Sequence, residues 1–534
     1  MSTEPLPITA PAGALEDPRR APAGALGAMA LAGAVVGAWL LLGPPTPDLA
    51  AQVYRVQLFA AHGFALYDAN WYGGHLLPAY SVLFPPFGAA VGVRLAGALA
   101  TAASIVLFDR LARAEFGRRG RWGTVWFALG AGMNLLSARL TFALGMAVGL
   151  GALLAARRDR TVPALGLAAA CPLASPLAGL FLALAGSAWA IGARRSLAVA
   201  LAGAAAVPLL GLQVAFPEGG TFPFPPAEAA ALLAVLLGGL ALLPPEMRTL
   251  RAGLVLYALL AVVAFAVSSP LGSNCARLAL IAAGPVLACA LNGRRAMVLA
   301  GAAPLLVLWS WMPSVQDLQG VGGPGSSAAY YAPLERFLRT HESPPSRVEI
   351  PFTRAHWESV YVARDFMLAR GWERQLDRGE NPIFYRAHHV LDARAYHDWL
   401  RSGGVRYVAV PDVALDESAR AEVALIARRP PYLREVFTSR HWRVYRVLGA
   451  TPLLSGPGRL LDVRSDSFAI DALRPGRFLM RLHFSPYWQL QEEAGCVMRG
   501  PNGWTELRLR HAGLQQVTTD FGIDRALNHG RRCT

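Results

Sequence analysis

A chain of 534 residues that is 54% hydrophobic and only 16% charged falls well below the roughly 25% charged residues of a soluble domain, which excludes an ordinary soluble enzyme. Its formal charge of +15 would suggest nucleic acid on a soluble surface, but many of the basic residues sit in short clusters between apolar runs, and that is a topology signal. All 50 basic residues are arginine, so Schiff-base lysine chemistry and a phosphate-loop lysine are excluded too.

Residues 1–22, rich in Pro and Ala, read as a disordered cytoplasmic start. The apolar run 23–43 can span the roughly 30 Å hydrocarbon core. Because further spans follow, it reads as a retained anchor and not a signal peptide. The polar stretch 44–77 has no arginine cluster and is expected to be the first external loop. After the run 77–107 comes 109–121 with five arginines, which should stay in the cytoplasm. Runs 122–136 and 140–156 go out and back to Arg157, Arg158 and Arg160, and 163–172 and 177–191 repeat the pattern up to Arg194 and Arg195. Runs 197–216, 227–243, 254–267, 278–291 and 297–311 bring the count to about eleven crossings, N-terminus inside and tail outside. Several runs are short and broken by proline, which is tolerated where protein or a watery cavity covers the break. An α-helical polytopic bundle over 23–312 with an outward-facing cavity follows.

The tail changes character. RVEIPF, VRYVAVPD and HWRVYRV read as strands between helical stretches such as 358–374, giving an α/β domain over 313–450 with a flexible linker at 320–327. From 451 to 534, apolar and polar residues alternate between Gly and Pro turns, the pattern of a β-sandwich. Cys171, Cys275 and Cys289 fall in apolar segments and read as small buried hydrophobes. Cys496 and Cys533 lie in the tail, where an oxidising space would let them pair. The wealth of Ala, Gly and Arg suggests a GC-rich bacterial genome.

The first loop holds the densest polar chemistry: Asp48, Tyr54, Arg55, His62, Asp68, Asn70, Trp71, Tyr72 and His75. A carboxylate just beyond a span, at Asp48, suits a general base that reaches an acceptor hydroxyl while a lipid-borne donor stays in the bilayer. The plain alternative is that Thr46, Pro47 and Asp48 open an amphipathic helix over 49–60. Asp68, Asn70, Trp71 and His75 suit a sugar, with its apolar faces and hydroxyl rim, although Trp71 and Tyr72 also fit an interfacial belt. His62, Asp68 and His75 could hold a divalent metal, at irregular spacing. Arg139 and Arg277 stand near the outer face, against the positive-inside trend. There a guanidinium fork suits the phosphate of a polyprenyl-linked donor, or else forms an internal ion pair or snorkels, and Asn274 would support either role. In the tail, 356–377 could line an acceptor groove or form a charged amphipathic helix, and Trp488 and Trp504 could stack on a glycan or pack in the core.

The segments PDLAAQVYR and YDANWYGGHLLPAYSVLFPP of the first loop, with SARLTFALG, PLGSNCARL and HWRVYRV, resemble the GT-C superfamily of membrane glycosyltransferases, in its bacterial branch with a large extracytoplasmic tail. The resemblance implies inverting transfer of a sugar from a polyprenyl-phosphate donor to a glycan or glycolipid acceptor at the outer face of a bacterial membrane. Asp48 would be the base and Arg277 the phosphate contact. Asp48 is followed by Leu49 and Ala50, so the paired acidic residues of many members are missing. The competing reading is a non-enzymatic membrane protein that binds or transports an envelope lipid or glycan.

Overall fold

The computed structural model describes residues 21–193, 195–341, 344–385, 391–490 and 495–528. Residues 1–20 of the segment read as disordered, with Arg194 and Cys533, lie outside them. The chain opens with α1 (Ala21–Leu42), which bends by 85° into α2 (Pro47–His62). A two-stranded hairpin, β1 (Tyr67–Asp68) with β2 (His75–Leu76), follows. The bundle continues through α3 (Phe84–Val91), α4 (Val93–Phe116), α5 (Gly120–Leu136), α6 (Leu140–Arg157), α7 (Thr161–Ala174), α8 (Pro176–Ala193), α9 (Ser196–Ala215), α10 (Pro226–Leu242), α11 (Arg248–Ala266), α12 (Arg277–Ala290) and α13 (Gly293–Leu318).

Among the described residues, seven stretches are long and apolar enough to cross a membrane, or up to eight if α1 and α2 form one span, with α7 and α10 as shorter apolar helices. The stretch Val93–Leu136 folds back on itself as α4 and α5, whose Phe108 and Phe127 rings stack 4.1 Å apart. Each apolar run read from the sequence marks the body of one bundle helix, except 77–107, which holds both α3 and most of α4. The prolines expected to break spans differ: Pro172, Pro208, Pro285, Pro304 and Pro313 sit inside continuous helices, where neighbouring helices can cover the backbone carbonyls freed by the missing N–H.

The connections fall on two faces. Arg157 pairs with Glu115, and Arg195 lies 3.7 Å from Asp159, so these arginine-rich connections share one face. On the other, the Val82 and Leu83 amides bond the Leu173 carbonyl, the Phe222 amide bonds Ser269, and the Thr221 amide bonds Gln375 of the tail. The first loop and the tail therefore lie on the same side.

The tail starts with α14 (Ala328–His341) and a five-stranded sheet of order β4-β3-β5-β7-β6, made of β3 (Arg347–Glu349), β4 (Met367–Leu368), β5 (Val405–Pro411), β6 (Leu433–Thr438) and β7 (Trp442–Val447). The two short outer strands run parallel to β5 and the last two are antiparallel, with α15 (Glu358–Tyr361), α16 (Arg374–Glu380), α17 (Ala393–Ser402) and α18 (Arg420–Ala427) around them. The helix expected over 358–374 ends at Tyr361. The consecutive apolar run Phe366 to Ala369 is buried and enters the sheet as β4, as a strand buried on both faces should.

Two four-stranded antiparallel sheets complete the chain: β12-β15-β10-β9 and β13-β14-β11-β8. Their strands are β8 (Leu454–Ser455), β9 (Gly458–Arg464), β10 (Ser467–Ala472), β11 (Gly476–His483), β12 (Trp488–Leu490), β13 (Gly495–Arg499), β14 (Trp504–Leu509) and β15 (Gly513–Thr519), followed by α19 (Ile523–Asn528). Alternating residues such as Phe468, Ile470, Phe478, Met480, Leu507 and Val517 fill the space between them, the inward half of a period-2 pattern. Cys171, Cys275 and Cys289 are free and buried, whereas Cys496 is disulfide-bonded.

Candidate active site between the helix ends and the tail

The first loop is fastened to the tail at several points. The Leu368 amide bonds the Asn70 carbonyl at 2.8 Å, the His483 amide bonds Gly73 at 2.7 Å, and the Trp357 indole N–H donates to the Pro45 carbonyl at 3.1 Å. This holds α2 across the ends of the spans. The helix begins after Thr46, whose hydroxyl makes no capping bond. Asp48 lies in its first turn, where a carboxylate complements the helix dipole, and turns to Arg139 at 3.6 Å.

Arg139 reaches that place through a tight turn between α5 and α6, with Ala138 at φ 54°. A hydrogen bond of 2.9 Å from Ser137 to Ser314 ties this turn to α13. One turn farther along α13, Asp317 accepts from Arg139 Nη2 at 3.0 Å, so Arg139 stands between two carboxylates. Arg277 opens α12 after the turn Gly272–Ala276, in which Gly272 at φ 42° passes so close to the Phe222 carbonyl that a Cβ would collide. Its Nη2 donates to Asn274 Oδ1 at 2.6 Å, and its guanidinium lies 5.5 Å from the centre of the Phe142 ring. Among the described residues no carboxylate lies within ion-pair distance of Arg277.

Asp48, Asn274, Arg139 and Arg277 of the sequence reading thus converge. Both arginines stand at helix N-termini, the N-cap of α6 and the first residue of α12, and they are close enough to feel each other's charge. A cation at a helix N-terminus opposes the dipole, and an anion there is favoured by dipole and guanidinium together. Burial raises the Asp48 carboxyl above the ordinary aspartate range; Arg139 and Arg277 pull it down and Asp317 pushes it up. With its side chain 37% exposed, Asp48 is a carboxylate of raised basicity that a substrate can reach.

Asp68, Asn70, Trp71 and His75 also come together, in a second and more enclosed place. Asp68, 0% exposed, accepts from the Tyr54 hydroxyl at 2.9 Å and the Asn70 amide at 3.1 Å, with His75 Nδ1 at 4.0 Å. Trp71, also 0% exposed, is stacked between Tyr54 at 4.3 Å and His75 at 5.7 Å. Both of its faces are covered, so neither a sugar nor the lipid boundary meets Trp71, and Tyr72 is buried with it. Burial raises Asp68 to about 7 and lowers His75 to about 3. Arg55 lies 3.8 Å over Tyr80 and pairs with Glu373 of the tail at 2.5 Å. His62 is exposed at the end of α2, and no group of three or more metal-binding side chains occurs among the described residues. Trp488 meets the edges of Tyr67 and Phe468, and Trp504 packs by His483 and Arg347, so both belong to the interior.

Among solved structures, the arabinofuranosyltransferase AftD from mycobacteria, seen by single-particle cryo-EM, is similar to 95% of this chain at 14% identity and a TM-score of 0.45. The chain covers 57% of AftD, a little over half its length. No family model and no curated protein matches the sequence.

Sequence reasoning missed three participants. Asp317 carried a usable signal, a lone carboxylate just past the last span, as Asp48 is past the first. His356 is marked only as the first residue of the stretch 356–377: it sits at φ 57°, stacked 3.4 Å from Trp372, with ring nitrogens 3.5 Å from Glu358 and Asp416. Glu218, between α9 and α10, accepts from the Leu76 amide of β2, and burial raises it to about 8. The native state therefore holds this proton above the unfolded value of 4.5. The stability Glu218 contributes is full below that value, declines as pH rises and is gone above about 8. The thermal midpoint of the purified protein should fall between pH 5 and 8, and Glu218→Gln, which keeps the acceptor without the charge, should flatten that fall. An equal slope in the variant would assign the proton elsewhere.

Proposed function

We propose that this chain is a membrane glycosyltransferase of the GT-C kind. It transfers a sugar, with inversion, from a polyprenyl-phosphate donor to a hydroxyl of a cell-envelope glycan or glycolipid. The side that carries the first loop and the tail is the outer face, and the arginine-rich connections are cytoplasmic. What supports this reading is one partly open carboxylate, Asp48, next to two arginines at helix N-termini, of which Arg277 has, among the described residues, only the neutral Asn274 as a side-chain hydrogen-bond partner.

A single displacement needs one base and a stabilised leaving group. Asp48 takes the proton of the acceptor hydroxyl as its oxygen bonds to the anomeric carbon. The bond from that carbon to the phosphate oxygen breaks, and the electron pair leaves with the lipid phosphate, whose charge Arg277 and Arg139 balance. Asp317 keeps Arg139 in place and supplies the second negative charge that a paired acidic motif would otherwise give. Asp68, Trp71 and His75 form the packed floor that fixes α2, and the half-buried Asn70 ties that floor to β4.

A test of the phosphate contact is donor affinity. Arg277→Gln should weaken binding of a polyprenyl-phosphate sugar by about 10–100-fold, the worth of one charged hydrogen bond. Arg277→Lys, which keeps the charge and loses the fork, should fall between. Unchanged affinity in Arg277→Gln would remove Arg277 from the site.

A further inference from the structure

The end of the chain carries an apolar face that points away from the protein. On α19, Ile523 is 71% and Leu527 64% exposed, and Phe521 just before it is 50% exposed. Ile523 and Leu527 are four residues apart and so share one side of the helix. The rest of the helix is anchored: on its flank Ala526 is buried in a cluster with Leu212 and Phe216, at the end of α9. Arg525 is 7% exposed and donates to Gln489 Oε1 at 2.7 Å and to the Tyr487 and Asp520 carbonyls at 3.3 and 3.2 Å. The exposed side chains are therefore displayed by a fixed support.

What lies beside that support identifies the occupant. The Tyr487 hydroxyl donates to the Ala215 carbonyl, and the Phe521 ring stacks on Phe216 at 5.9 Å, so the segment meets the last turn of a candidate membrane span. That span shows Val207, Leu210 and Val214 on its open surface, which in a bilayer faces lipid. Phe521 and the buried side of α19 pack on the end of this span, which puts Ile523 and Leu527 near the level where a spanning helix leaves the acyl chains for the headgroups. An amphipathic helix at that depth buries its apolar face about 5–10 Å into the boundary.

We infer that α19 is an interfacial foot, through which the β-sandwich rests on the outer leaflet, with Phe521, Ile523 and Leu527 inserted among lipid. The partner is the bilayer itself. The foot holds the tail at a fixed height over the site and is independent of the reaction proposed above.

Spin labels at Ile523→Cys and Leu527→Cys test this in the full chain reconstituted in vesicles of phosphatidylethanolamine and phosphatidylglycerol. The native chain, carried through the same labelling, sets the background from its five cysteines, of which Cys171, Cys275 and Cys289 are buried and Cys496 is disulfide-bonded. Leu514→Cys, at the opposite end of β15 and 69% exposed in the native chain, is the control. The expected result is high accessibility to oxygen and low accessibility to a water-soluble nickel chelate at 523 and 527, with the reverse at 514. Nickel accessibility equal to that at 514 would overturn the proposal in favour of a solvated face. Protection from both reagents would overturn it in favour of a protein occupant, a second copy or another part of the chain.

Discussion

Replacing Asp48 with asparagine is expected to slow sugar transfer by about 10²–10⁴-fold, the usual worth of a general base, and to leave donor affinity nearly unchanged. Asparagine keeps the size and an acceptor oxygen for Arg139, and Arg139 keeps its bond to Asp317, so the fold has no unpaired buried charge to respond to. A protein that only carried a lipid or glycan would tolerate the change, and full activity in the variant would refute the role given to Asp48. The pH profile adds a second readout. Burial and Asp317 both raise the Asp48 carboxyl, so the acid limb of the rate should lie above the ordinary aspartate range. Asp317→Asn removes one raising charge and should move that limb to lower pH, with a slower plateau because the base is weaker. If the limb stays where it was, Asp317 acts only by holding Arg139.

What could be read from the sequence, and what could not, follows from the range of the interactions. Helix positions rest on apolar runs and arginine clusters, which are local, so the bundle helices are legible in the sequence, except that the single run 77–107 holds both α3 and most of α4. Asp48, Arg139 and Arg277 were visible for the same reason, since each is a charge at the end of an apolar run, where charge is costly without a purpose. The relation of Arg139 to Asp317 was not visible, because 178 positions separate them. Trp71 shows the limit most clearly. Its neighbours in sequence suggested a sugar platform, but Gly371, 300 residues away, lies so close to the ring that a Cβ would collide, and Tyr54 and His75 cover its faces. The segment 356–377 differs for another reason: its charges suggest an amphipathic helix, whereas Arg370 is wholly buried.

That residue gives the largest effect expected on stability. Arg370→Met should cost about 3–5 kcal/mol, the penalty for removing one partner of a buried ionic network, seen as a lower first thermal transition of the full chain. The guanidinium lies between Phe352 and Phe384, at 3.9 and 4.0 Å from their centres, and bonds Asp377 through Nε and Nη2 at 3.1 and 2.7 Å. Its Nη1 stands 3.9 Å from Glu349 and 3.7 Å from Glu422, and all four side chains are closed to solvent. One cation cannot balance three carboxylates at low dielectric, so burial drives protons onto the glutamates: Glu349 is raised well above its ordinary value and Glu422 to about 7. Glu349→Gln, which matches the neutral form that burial favours at this position, should therefore cost much less than Arg370→Met. The contrast between the two variants separates ionic support from packing, and equal thermal transitions in Arg370→Met and the native protein would show that the network contributes nothing. The loss should also reach the site. The residues after Arg370 position the loop, with the Tyr72 hydroxyl donating to the Gly371 carbonyl at 2.6 Å and Glu373 gripping Arg55 on the same helix as Asp48. Transfer activity should fall with the fold at that junction and before the bundle itself comes apart.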